Sequence, residues 1–184
     1  MKLTTQEITR VAFFSALLCL TSFFVRFGGE AIVPFSLLPL MVLLTGAVLG
    51  SRLGALSVTV YVLLGLVGLP VFAQPPYGGL TYLLQPSFGF LPGFVLEAYV
   101  VGKMVERAPE PSLARIFGAM LLGIIAMYAV GVPYLYGLVR FYLGSPLTLG
   151  KALEIGLLPF LAFDLVKGAL AALVARAVLR RLRA

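Results

Sequence analysis

Apolar runs of about 20 residues alternate along the chain with short polar or charged breaks, and six such runs can be drawn. A helix of that length crosses a ~30 Å hydrocarbon core. The runs cover about residues 8 to 25, 32 to 50, 53 to 71, 84 to 103, 115 to 139 and 152 to 178. The least obvious division falls between Leu53 and Leu96, a stretch without a charged residue that is too long for one crossing. GLVGLPVFAQPPYGGL breaks it, because its prolines remove backbone donors and its glycines permit turns. The spans leave no room for a soluble domain or a linker. The pattern therefore predicts an all-α integral membrane protein of six transmembrane helices, with residues 1–184 forming a single domain.

Composition agrees with that pattern. Of the 184 residues, 61% are hydrophobic and 11% charged, mean hydropathy is +1.07, and neither histidine nor tryptophan occurs. A net charge of +7 would raise nucleic acid as a partner of a soluble protein, but here the basic residues sit at the ends of apolar runs and RRLRA closes the chain. That placement suits anchoring against anionic lipid, and no basic stripe interleaved with aromatics exists to bind nucleic acid.

Lysine and arginine also set an orientation. With the N-terminus inside, Lys2, Arg10, Arg52, Lys103, Arg107, Arg115, Arg176, Arg180, Arg181 and Arg183 lie at the cytoplasmic face, against Arg26, Arg140 and Lys151 outside. Ten against three predicts that both termini are cytoplasmic. Lys2 and Arg10 precede an apolar stretch of secretory-signal length, but no small-x-small cleavage site followed by polar sequence comes after it, so the first span is expected to be retained. No internal repeat is evident, which speaks against an inverted-repeat transporter. The single Cys19 has no partner for an internal disulfide and is expected to pack as a small residue.

Small residues recur one helical turn apart at Ala12 and Ala16, and again at Gly46, Gly50 and Gly54. Such spacing lets another helix approach closely, within the bundle or from a partner. Irregular backbone at membrane depth is tolerated where it lines a cavity. AIVPFSLLPL, with Pro34, Ser36 and Pro39, and VFAQPPYGGLTYLLQPSFGF, with Tyr77, Gly78, Gly79, Tyr82, Gln85 and Ser87, are two such interruptions. Tyr61 and Tyr99 read as an aromatic belt or as packing. Glu97 is expected to turn toward the interface or toward Lys103.

The sharpest feature is FDLVKG in the last span. Asp164 and Lys167 stand at i and i+3, on one helical face, well inside the apolar run. An isolated charge at mid-membrane costs about 2.5 to 3.5 kcal/mol on insertion scales, so both are expected to face the interior. They then satisfy each other as an ion pair or satisfy something bound. A pure packing role is the weaker reading, because buried pairs seldom outperform apolar replacements of the same shape. As a polar site the pair offers a carboxylate to accept N–H bonds and an ammonium to donate to oxygen.

Enzymatic readings find little support. Without histidine there is no histidine base or histidine-ligated metal, and the seven acids are dispersed. Ser87 lies in QPSFG rather than a nucleophile elbow, and no phosphate-binding loop is present, so any ATP hydrolysis must come from another protein. No metal or cofactor is expected.

GLVGLPVFA, the following GG, PSFGF, GVPYL and above all LPFLAFDLVKGALAA, in this order, resemble the BioY family, the biotin-binding S components of energy-coupling factor (ECF) vitamin transporters. The resemblance runs from about Ile32 to the C-terminus. It implies a six-helix S-component bundle in the plasma membrane that captures biotin from outside and delivers it with a transmembrane T component and a pair of ABC ATPases. It further implies that Ala12 and Ala16 dock on the T component and that Asp164 and Lys167 form part of the biotin site. With that ligand, Asp164 would take the ureido N–H groups and Lys167 the ureido oxygen, with Tyr134, Phe35 or Phe88 packing on the bicycle. The carboxylate would point toward Tyr77, Gly78, Gly79, Gln85 and Ser87, with Ser36 nearby. The chain departs from the family pattern at Gln85, where glycine is frequent, at Phe90, where tyrosine is frequent, and at Leu38, where glutamine is common; the Asp-Lys pair is intact. Two other readings stay open: an autonomous secondary transporter that protonates Asp164, and a structural protein in which the pair only joins helices.

Overall fold

The computed structural model describes residues 3–27, 36–108 and 111–183. Lys2, Pro34 and Phe35 lie outside them. The described chain is all helix and loop: α1 Thr5–Phe27, α2 Leu38–Leu66, α3 Phe90–Glu106, α4 Leu113–Gly137, α5 Leu149–Gly156 and α6 Leu158–Arg183. Two 3-10 turns, Leu80–Leu84 and Pro86–Gly89, lead into α3, and a π turn, Leu138–Tyr142, ends α4.

The 29-residue α2 is two spans rather than one. Gly50 adopts φ 79°, ψ 179°, a conformation that costs an L side chain dearly, and the chain reverses there. A Cβ placed on Gly54 would lie 2.9 Å from Gly46 Cα. In a straight helix residues eight apart are separated by about 12 Å along the axis, so the two arms must fold back on each other. This fulfils the division expected between the second and third spans. It also identifies the partner of the glycine spacing: Gly46 packs on the Ala98 backbone and Gly102 on the Gly50–Ser51 backbone, in each case with no room for a Cβ. Backbone-to-backbone approach of this kind is how small residues join helices in lipid.

Contacts between the other elements follow the same alternation of direction. Ser15 and Ser22 of α1 meet Ser57 and Tyr61 of the second α2 arm. α4 runs opposite to α3, since Gly93 faces Met127 while Gly131 faces Phe90. At one end of the bundle the Glu106 carboxylate accepts from the Ser51 backbone N–H at 3.0 Å and pairs with Lys103 at 3.3 Å. The exposed Arg52, Arg107 and Arg115 gather at the same end. By length and composition Leu38–Leu66, Pro86–Glu106, Leu113–Tyr142 and Leu158–Arg181 suit a membrane, with the Gly50 reversal making two passes of the first. The chain is a multi-pass membrane protein.

Span boundaries differ from the hydropathy reading at the opposite end. The third span was expected to reach residue 71, but its helix stops at Leu66. Beyond it Gly68 takes φ 109°, and Phe72 folds back so that its ring covers Gly65. The fourth span begins as two 3-10 turns and becomes α-helical only at Phe90. The sixth divides at Leu157, because Pro159 has no N–H to bond back to Ile155 and α5 cannot continue into α6. These departures shorten the helices at this end of the bundle and leave residues 67 to 89 as a roof of turns.

Candidate ligand-binding site

Asp164 and Lys167 lie on the second and third turns of α6, with 4% and 9% of their surfaces exposed. Both face the interior, as their charge required. Lys167 Nζ donates to Asp164 Oδ1 at 2.9 Å. From α4 the Tyr128 hydroxyl donates to Asp164 Oδ2 at 2.5 Å. Each carboxylate oxygen thus holds one donor and keeps a lone pair, and the ammonium keeps two further N–H groups.

Above this pair lies a cavity of about 220 Å³. Phe160 and Gly156 form its α5–α6 side, Met127 and Tyr128 its α4 side, and Phe90, Leu91 and Phe94 its α3 side. Leu38, Pro39 and Tyr61 of α2 complete the walls, and Phe72, Ala73, Gln74, Tyr82 and Ser87 roof it together with Ser36. The Phe72 ring packs at a tilt on Tyr82 at 4.3 Å between centroids and meets Tyr61 edge-on at 5.8 Å, which fixes the roof against the α2 wall. Burial in this position holds the Tyr82 phenol above its ordinary range. The result is an apolar, mostly aromatic chamber with a charged donor–acceptor pair at its base and Ser36, Gln74 and Ser87 at its mouth. Such a chamber suits a small, flat-faced ligand with a polar head that both donates and accepts.

Not every residue singled out in the sequence reaches this chamber. Asp164, Lys167, Ser36 and Ser87 line it. Tyr134 and Phe88 instead pack on each other at 5.6 Å, and the Tyr134 hydroxyl donates to the Leu83 carbonyl, so they pin the roof to α4. The Gly79 N–H is already given to Gly65 O at 2.7 Å, and Gly78 is packed on the Leu69 and Gly65 carbonyls. Tyr77, at φ 66°, closes the turn that returns its carbonyl to Phe72 N–H. Gln85 is half-buried between the two 3-10 turns. Phe35 lies outside the described residues. Ala12 and Ala16 are exposed on the side of α1 away from Val11, Ser15 and Leu18, which face the bundle.

The family model described as "BioY family" matches residues 1–184. The chain belongs to the BioY family. Among its relatives, the "Probable biotin transporter BioY" of Lysinibacillus sphaericus is 38% identical over 172 residues, covering 94% of this chain and 86% of that one. The "Biotin transporter BioY" of Thermotoga maritima is 41% identical over 143 residues, covering 78% and 79%. A crystal structure of the S-component for biotin from an ECF-type ABC transporter has the same fold, with a TM-score of 0.65 at 22% identity over 96% of this chain and 94% of that one.

Sequence reasoning missed several residues of the chamber in this family member. Tyr128 stands in the run IIAMYAV, where a tyrosine reads as packing; its partner Asp164 is 36 positions away. Gln74 lies in the recognised loop but next to two prolines that drew attention to the backbone instead. Tyr61, expected as belt or packing, does pack: its ring is buried and also forms cavity wall, and its hydroxyl bonds to Ser22 at 2.9 Å, while Tyr99 faces outward. Glu97 does not turn to the interface or to Lys103, because Lys103 pairs with Glu106 and Glu97 is fully buried.

Proposed function

We propose that this chain is the membrane-embedded capture subunit of an ECF-type vitamin importer and that it binds biotin in the chamber over Asp164 and Lys167. The observation that carries the reading is the buried acceptor–donor pair at the base of an aromatic cavity in a BioY-family bundle. A ureido ring presents two N–H donors and one carbonyl. The open lone pairs of Asp164 accept the donors, and a remaining Lys167 N–H serves the carbonyl. Phe94, Phe160 and the Phe72–Tyr82 pair enclose the bicycle, and the carboxylate tail runs out to Ser36, Gln74 and Ser87. A site built for such a head rejects analogues that lack it, since its own polar groups would be left unpaired.

The subunit carries no catalytic step. It sits in the cell membrane with both termini cytoplasmic, and a transmembrane T component and two ABC ATPases supply the energy. Calorimetry on purified protein is expected to show tight binding of about one biotin per chain, weakened at least a hundredfold by Asp164→Asn or Lys167→Ala in folded protein. Absence of both heat and thermal stabilisation by biotin overturns the ligand. Proton-dependent uptake by the purified chain alone, without ATPase partners, would favour the autonomous transporter instead.

A further inference from the structure

We propose that Glu97 carries a bound proton beneath the ligand chamber, and that this proton keeps Lys167 turned toward Asp164 and the ligand. Glu97 lies one turn beyond Phe94, a residue of the cavity wall, on α3. It is 0% exposed, and neither carboxyl oxygen has a hydrogen-bond partner among the described residues. Gly123 of α4 makes room for it: a Cβ there would lie 3.2 Å from Glu97 Cγ and 2.5 Å from Val101 Cγ2.

The groups within electrostatic reach of Glu97 are Asp164 and Lys167 of α6 and Tyr128 of α4. The remaining ionisable residues of the packed elements are engaged or remote. On α2, Tyr61 bonds Ser22 and Arg52 is exposed at the basic end. On α4, Tyr134 bonds Leu83, Tyr136 lies farther along toward the roof, and Arg115 donates to Met104 O. On α3, Tyr99 faces outward, and Lys103 pairs with Glu106.

The buried cluster therefore holds two carboxyls and one ammonium. With both acids ionised it carries an uncompensated negative charge whose two oxygens at Glu97 are buried without a donor among the described residues, an arrangement that apolar surroundings penalise heavily. One proton on Glu97 makes the cluster neutral. Loss of that proton creates a rival for the Lys167 ammonium on the far side from the cavity, which pulls the donor away from Asp164 and from any ligand carbonyl. The coupling to ligand rests on the biotin reading above; the proton itself does not.

Infrared spectroscopy of ligand-free protein carrying carboxyl-labelled glutamate tests the proton directly. An isotope-shifted carboxylic-acid C=O band is expected at neutral pH, lost on alkalinisation and absent from Glu97→Gln. The label separates Glu97 from Asp164, the sole aspartate of the chain. Biotin Kd is expected to rise about tenfold per pH unit beyond the midpoint of that band, as binding to a shrinking protonated fraction requires. In Glu97→Gln, a fixed neutral mimic, this step is abolished. Absence of the band from folded wild-type protein at neutral pH, or identical pH profiles in the two proteins, overturns the proposal. If Glu97→Gln does not fold, the wild-type band and its midpoint decide alone; if biotin binds at no pH, the ligand reading fails while the band still decides the proton.

Discussion

At the residue scale the site is a division of labour around one carboxylate. Lys167 and Tyr128 reach Asp164 from the same helix and from across the bundle, and each takes one oxygen. Tyr128→Phe removes a hydrogen bond to a charged acceptor, a loss typically of about 1.5–3 kcal/mol. Biotin affinity measured by calorimetry is expected to fall about 10- to 100-fold, less than for Asp164→Asn. An unchanged affinity would mean that Tyr128 only packs. The Asp-Lys pair was legible from sequence because two charges in lipid-length apolar sequence have few places to go. Tyr128 was not, since tyrosine occurs in membrane helices for several reasons and only the fold brings α4 against α6. Glu97 was misplaced because a neighbouring lysine looked like its partner; Lys103 has a nearer acid in Glu106, which is itself anchored on Ser51.

Among elements, the close packing of the α2 hairpin on α3 depends on absent side chains. Gly102→Leu has no space, since a Cβ alone meets the Gly50–Ser51 backbone. Overpacking of this kind costs about 1–3 kcal/mol or more, and thermal unfolding in detergent is expected to show a clear drop in Tm. Gly118→Ala is the matched control: nothing lies within 4 Å of a Cβ there, so the gain in helix propensity should leave Tm equal or slightly higher. Six spans could be read from hydropathy, and the glycine spacing pointed to close approach. The partner of those glycines could not be read, nor could the helix ends beside residues 67 to 89, because no charge marks them and Gly68 and the roof packing decide where helix stops. Pro159 did mark the division between α5 and α6, but the apolar run on both sides hid it.

Taken whole, the bundle presents α1 with its small residues outward. Ala12 and Ala16 are exposed while Val11, Ser15 and Leu18 hold the helix to the bundle. Replacing both alanines with tryptophan is expected to abolish co-purification with a T component and to leave biotin binding as in the wild type; loss of binding as well would show that this face supports the fold. The roof of turns carries a different consequence. Tyr134 ties Leu83 to α4, and Phe72, Tyr82 and Ser87 lie over the chamber, so on the ligand reading proposed above this connection is expected to bear on how readily the roof loosens. Neither Tyr134 nor Leu83 lines the chamber, so the connection is expected to act on passage rather than on affinity. In stopped-flow measurements, Tyr134→Phe is expected to raise the association and dissociation rates together, with little change in their ratio. On the proposed reading, the occupant's residence time would then depend on a hydroxyl on α4 and a carbonyl in the roof rather than on Asp164 and Lys167.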